Sequence, residues 1–79
     1  MFNLSVIALD KKLFEGEVEF VSVPGSDGEL TILKNHLPLI TYLVKGDVKI
    51  KIEKEEKKIP ISGGVLEVKP NETIILLNP

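Results

Sequence analysis

Asp47-Val48-Lys49-Ile50-Lys51-Ile52-Glu53 decides the fold class. Val48, Ile50 and Ile52 fall at every second position, and the residues between them are charged. A period of two, rather than 3.6, lines apolar side chains along one face of an extended strand and charges along the other. Glu17-Val18-Glu19-Phe20, Lys58-Ile59-Pro60-Ile61 and Val65-Leu66-Glu67-Val68 repeat the alternation. Turn residues separate these runs at Asp10-Lys11, Gly25 to Gly28, Lys45-Gly46, Glu53 to Lys57, Gly63-Gly64 and Pro70-Asn71. Short alternating runs with such punctuation predict an all-β protein, a small two-sheet β-sandwich of about nine to ten short strands.

No stretch of ten residues carries an amphipathic helical stripe. Glu53-Lys54-Glu55-Glu56-Lys57-Lys58 is charged all round and reads as a solvated hairpin tip. Pro60 lacks a ladder donor, which puts its strand at an edge or a bulge. Pro70-Asn71 reads as a tight turn between the last two strands. Two runs break the alternation: Thr73-Ile74-Ile75-Leu76-Leu77 is apolar on both strand faces, and Phe20-Val21-Ser22-Val23 is nearly so. One face of each meets the core. The other predicts either a partner surface or a strand that curls between two sheets.

At 79 residues the chain makes one domain, spanning 1–79, with about 60% of its unfolded surface buried. It has no cysteine, hence no disulfide and no thiolate for redox, metal or nucleophilic work. The net charge is −2, all ten basic residues are lysines, and Phe2, Phe14, Phe20 and Tyr42 are scattered. Without arginine forks or a stacking platform, nucleic acid is not expected as a partner. No apolar run nears the roughly 20 residues of a membrane-spanning helix, and the N-terminus lacks a basic leader region. Direct membrane insertion is therefore not expected.

The chemistry-bearing residues are few. His36 is the only histidine, and Ser5, Ser22, Ser26 and Ser62 lie in no nucleophile-elbow context. One histidine without cysteine supports no zinc site. Gly25-Ser26-Asp27-Gly28-Glu29 lacks the alternating oxygen ligands of a calcium loop and reads as a hairpin turn. Ser62-Gly63-Gly64 is followed by neither Gly-Lys-Ser/Thr nor a helix, so it reads as a glycine turn or bulge rather than a phosphate loop. No enzyme activity, metal or cofactor is expected. A protein-binding or structural module is.

Four stretches carry a family resemblance. They are Leu13-Phe14-Glu15-Gly16-Glu17-Val18, Val23-Pro24-Gly25-Ser26-Asp27-Gly28-Glu29-Leu30-Thr31-Ile32, His36-Leu37-Pro38-Leu39-Ile40-Thr41 and Ser62-Gly63-Gly64-Val65-Leu66-Glu67-Val68. In this order and spacing the chain resembles the N-terminal β-sandwich domain of the epsilon subunit of F-type ATP synthases, counterpart of the mitochondrial delta subunit. The resemblance implies a non-catalytic central-stalk component that couples the gamma subunit to the c-ring during proton-driven ATP synthesis. It implies a protein peripheral to the membrane through its complex, at the cytoplasmic face of a bacterial inner membrane. By position it implies a gamma-subunit interface at Ala8, His36, Leu37, Pro38 and Thr41, and contacts to the polar c-ring loops from Ser26, Asp27 and Glu29.

The turn and the His36 loop thus read as neighbouring contact elements. Leu33-Lys34-Asn35 stands where the family often carries a proline and a glycine, and Asn78-Pro79 stands where its C-terminal helical hairpin begins. No such hairpin is expected in this chain. Two rivals come from other classes. A biotinyl or lipoyl carrier domain needs a modified lysine at a hairpin tip, for which Lys54, Lys57 and Lys58 are the candidates. A small hydrolase needs His36 as its base.

Overall fold

Nine strands curl into one hydrogen-bonded sheet in a computed structural model that describes residues 1–79. They are β1 (Phe2–Ala8), β2 (Lys11–Val18), β3 (Phe20–Gly25), β4 (Gly28–Leu33), β5 (Leu39–Leu43), β6 (Gly46–Ile52), β7 (Glu55–Ile61), β8 (Gly64–Val68) and β9 (Glu72–Leu77). The order across the sheet is β2-β1-β9-β8-β5-β3-β6-β7, with β4 on the free side of β3. All neighbours are antiparallel except β1 and β9, which join the two ends of the chain in parallel.

One joint is narrow. Strands β3 and β5 pair only at Gly25 and Leu43, where Val44 N–H donates to the Pro24 carbonyl at 2.8 Å and Ser26 N–H to the Tyr42 carbonyl at 3.0 Å. There the sheet folds over, so that β2-β1-β9-β8-β5 faces β4-β3-β6-β7 as the two layers of a sandwich. Alternation supplies the filling: Leu4, Val6, Leu66 and Ile75 from one layer meet Val21, Val23, Ile32, Val48 and Ile50 from the other, all fully buried. The cluster of 13 buried residues is entirely aliphatic.

Each irregular run has its own outcome. Glu17 to Phe20 is not one strand, because Glu19 forms a corner between β2 and β3, its N–H donating to the Lys51 carbonyl at 2.8 Å. The corner shifts the alternation, so Val21 rather than Phe20 points inward beyond it. In β3 the outward Ser22 is buried and shares a 2.9 Å hydrogen bond with Thr31, its partner on β4 in the same layer. The joint to β5 at Gly25 makes β3 the run that bridges the layers. The charged run shrinks to a two-residue turn, Glu53-Lys54, and its remainder is strand β7. Pro60 lies on that edge strand, opposite Asp47.

The open seam of the sandwich lies between β2 and β7. Lys57 Nζ stands 5.6 Å above the centroid of the Phe14 ring there. Such a contact contributes about 0.5–1 kcal/mol, and a charge turned toward the seam discourages a foreign strand from adding to the edge. The β1–β2 turn holds a strained residue, since exposed Leu9 has φ 55°. An L-residue in that region costs about 1–2 kcal/mol. Leu9→Gly is expected to raise the unfolding free energy by about 0.5–1 kcal/mol after the added chain entropy. The midpoint in urea checks this; an unchanged or lower midpoint means that Leu9 carries no net strain.

Candidate protein-binding surface

Strand β9 presents apolar side chains on both faces. Thr73 and Ile75 are buried in the core, while Leu76 is 50% exposed on the outside. The strand pairing extends that outer face sideways. Ile7 of β1, Leu76 of β9, Val65 of β8 and Tyr42 of β5 form one row in register, and Ser5, Ile74, Glu67 and Ile40 form the next. Tyr42 is 71% exposed and Ile40 is 68% exposed. The nine elements include no helix to lie across them. With strands about 4.8 Å apart and residues of one face about 7 Å apart, the two rows cover on the order of 300 Å². A stable interface takes about 800 Å² from each partner, so the patch is a centre that needs a rim.

Part of the rim comes from the segment between β4 and β5. A shallow groove lined by Pro38, Ile40, Glu67, Lys69 and Pro70 continues the face toward that segment. Leu37 beside it is 78% exposed. His36 anchors the loop, its N–H donating to the Leu33 carbonyl at 3.2 Å and its Nδ1 to the Leu37 carbonyl at 2.7 Å. Asn35 has φ 66°. Asparagine tolerates this left-handed conformation and β-branched residues do not. Asn35→Val is therefore expected to lower stability by about 1–2 kcal/mol in thermal unfolding, whereas Asn35→Gly leaves it nearly unchanged.

The structure distributes the other expected contact residues as follows. Ala8 ends β1 directly after Ile7, opposite Leu77 and Lys11. Thr41 lies on the inner side of β5 opposite Leu66, and it lines a groove with Asp27, Gly28, Glu29, Leu30 and Leu39. Ser26 and Asp27 form the exposed turn between β3 and β4, closed by Gly28 at φ 125°. Glu29 is 3.7 Å from Lys49. Thus Thr41 joins Asp27 and Glu29, and Pro38 joins Ile40 and Glu67. The turn and the His36 loop are not neighbours: they sit at opposite ends of β4, about 20 Å apart for six extended residues.

Sequence reasoning passed over Ile40, Tyr42, Val65 and Glu67. The first two were detectable, because Leu39-Ile40-Thr41-Tyr42-Leu43 has large side chains at both parities, as Thr73 to Leu77 does. Ser62-Gly63-Gly64 is a backbone crossing rather than a ligand loop. Asn78 N–H donates to the Gly63 carbonyl at 3.0 Å, and a side chain on Gly64 would strike the Leu76 carbonyl. These glycines hold the end of β9 tightly against β8.

The family described as ATP synthase, Delta/Epsilon chain, beta-sandwich domain matches residues 1–78. An ATP synthase epsilon chain of Dehalococcoides mccartyi is 41% identical over 74 residues, which cover 94% of this chain and 53% of that protein. One of Herminiimonas arsenicoxydans is 43% identical over 76 residues, with 94% and 54% covered. This chain spans about half the length of the curated relatives it matches. Among solved structures, a chain of the Euglena gracilis mitochondrial ATP synthase (OSCP/F1/c-ring) superposes with a TM-score of 0.90 at 22% identity, covering 96% of this chain and 49% of that one. A chain of the Tetrahymena thermophila central stalk and c-ring gives 0.81 at 15% identity, covering 99% and 63%. These two likenesses concern the fold, whereas the family match runs from the first residue through the last strand: the chain belongs to the ATP synthase delta/epsilon chain beta-sandwich domain family.

Proposed function

We propose that this chain is a single β-sandwich domain serving as a central-stalk coupling element of an F-type ATP synthase, without catalysis or cofactor of its own. It joins the gamma subunit to the polar loops of the c-ring and is peripheral to the membrane through that complex, at the cytoplasmic face of a bacterial inner membrane. The observation that carries the reading is the outer face around Ile40, Tyr42 and Leu76, large apolar side chains left open to water. A rotor collar must hold its partner against torque, which suits a stiff sandwich with an apolar centre and a polar rim. In this arrangement gamma covers the apolar face together with His36, Leu37 and Pro38 and with Ala8 at the end of β1. It meets Thr41, in the middle of β5 on its inner side, at the groove that Thr41 shares with Leu39. Ser26, Asp27 and Glu29 meet the c-ring. Similarity to epsilon chains, with no lysine-tip signature, favours this over a carrier domain.

Gel filtration of this chain with purified gamma at micromolar concentration tests the reading, and co-elution is the expected result. Separate peaks at that concentration would dismiss it. The two ends of the domain can also be separated. Asp27→Lys with Glu29→Lys is expected to leave the gamma complex intact and to weaken capture of that complex by detergent-solubilised c-ring about tenfold, as a rim charge reversal does. Undiminished capture would move the c-ring contact elsewhere.

A further inference from the structure

Glu67 is the one charged residue inside the apolar rows of the outer face. In register it lies between Ile40 of β5 and Ile74 of β9, with Val65 two residues before it on the same face. It is half-buried, and its carboxylate has no ion pair or side-chain hydrogen bond. The nearby rim charges differ. Lys12 and Glu15, which flank the rows on β2, pair with each other at 2.9 Å. Lys69, just past the end of β8, is exposed beside the Pro70 turn and does not reach Glu67 within ion-pair distance.

We infer that Glu67 is the specificity determinant of this face, and that it takes a lysine or arginine side chain presented from the middle of an otherwise apolar partner surface. The inference rests on the reading of the face as the gamma contact. While the face is open, water solvates the carboxylate. An apolar cover removes that water, and a charge left uncompensated in such a place opposes binding strongly. Ile40, Tyr42 and Leu76 therefore attract many apolar surfaces, and Glu67 rejects those without a cation opposite it. It also rejects this chain's own copy. A two-fold dimer centred on the patch brings the two Glu67 carboxylates toward each other, a like-charge juxtaposition. The occupant is therefore a different chain with complementary charge.

The test measures calorimetric affinity between this chain and purified gamma at several salt concentrations. Glu67→Gln keeps size and hydrogen-bonding capacity, and circular dichroism verifies its fold. It is expected to bind about tenfold or more weakly, with a flatter salt dependence. Glu67→Lys is expected to bind weaker still and to regain affinity when one contacting lysine or arginine of gamma is changed to Glu. Wild-type binding with equal affinity and salt slope for Glu67→Gln overturns the inference while leaving the gamma reading intact. No wild-type binding at micromolar concentration overturns both. Sedimentation showing a wild-type dimer dispersed by Leu76→Asp overturns the assignment of a foreign partner.

Discussion

Leu76→Asp is expected to weaken the proposed complex with gamma by about a hundredfold while the isolated domain stays folded. The side chain is half exposed at the centre of the outer rows, between Ile7 and Val65. Central apolar anchors of an interface lose about 2–4 kcal/mol on truncation, and a carboxylate adds the cost of its own desolvation. In the free domain the same change faces water. Strand propensity alone then sets the cost, about 1 kcal/mol. Calorimetry of binding and urea unfolding of the single variant separate the two effects. Full affinity in Leu76→Asp would remove this face from the interface, and gross unfolding would show that Leu76 belongs to the core.

One residue earlier the outcome reverses. Ile75→Ala is expected to cost about 4 kcal/mol of stability, since the side chain is fully buried opposite Leu66 and Val6. A domain of this length holds only about 4–12 kcal/mol in all, so the variant sits near the edge of folding. The expected fall in melting temperature is about 15–30 °C. At low temperature, where a folded fraction persists, affinity for gamma per folded molecule is expected to match the wild type. A fall of only a few degrees would mean that the core closes over the missing atoms. Adjacent positions on one strand thus separate stability from recognition.

Much of this was legible in the chain. Alternation in Asp47 to Glu53 and its repeats predicted strands, and β6, β7 and β8 lie where those runs are. Pro60 marked an edge or bulged strand because its ring removes a backbone donor, and Pro70-Asn71 marked a tight turn through its turn-forming residues. The two-faced run Thr73 to Leu77 announced an uncovered surface. Less legible was the corner at Glu19, where a single bend interrupts a pattern that reads as unbroken strand. The charged run Glu53 to Lys58 misled in the same way. An edge strand exposed on its outer side and at its rim has little apolar signature, and β7 is of that kind.

The sequence by itself determined which residues alternate, where the chain turns, which family it resembles and that one strand is apolar on both sides. Those properties depend on residues a few positions apart, which share a turn or a strand face. Only the tertiary structure decided which strands are neighbours. The parallel pairing of β1 with β9 brings Ile7 beside Leu76 from opposite ends of the chain, and β8 sets Val65 and Glu67 between β9 and β5. It also sent the Ser26-Asp27 turn and the His36 loop to opposite ends of β4. Hydrogen-bonded register between distant segments is selected by the fit of the whole core, and no local pattern records it. The outer face and the carboxylate within it exist only once that selection has been made.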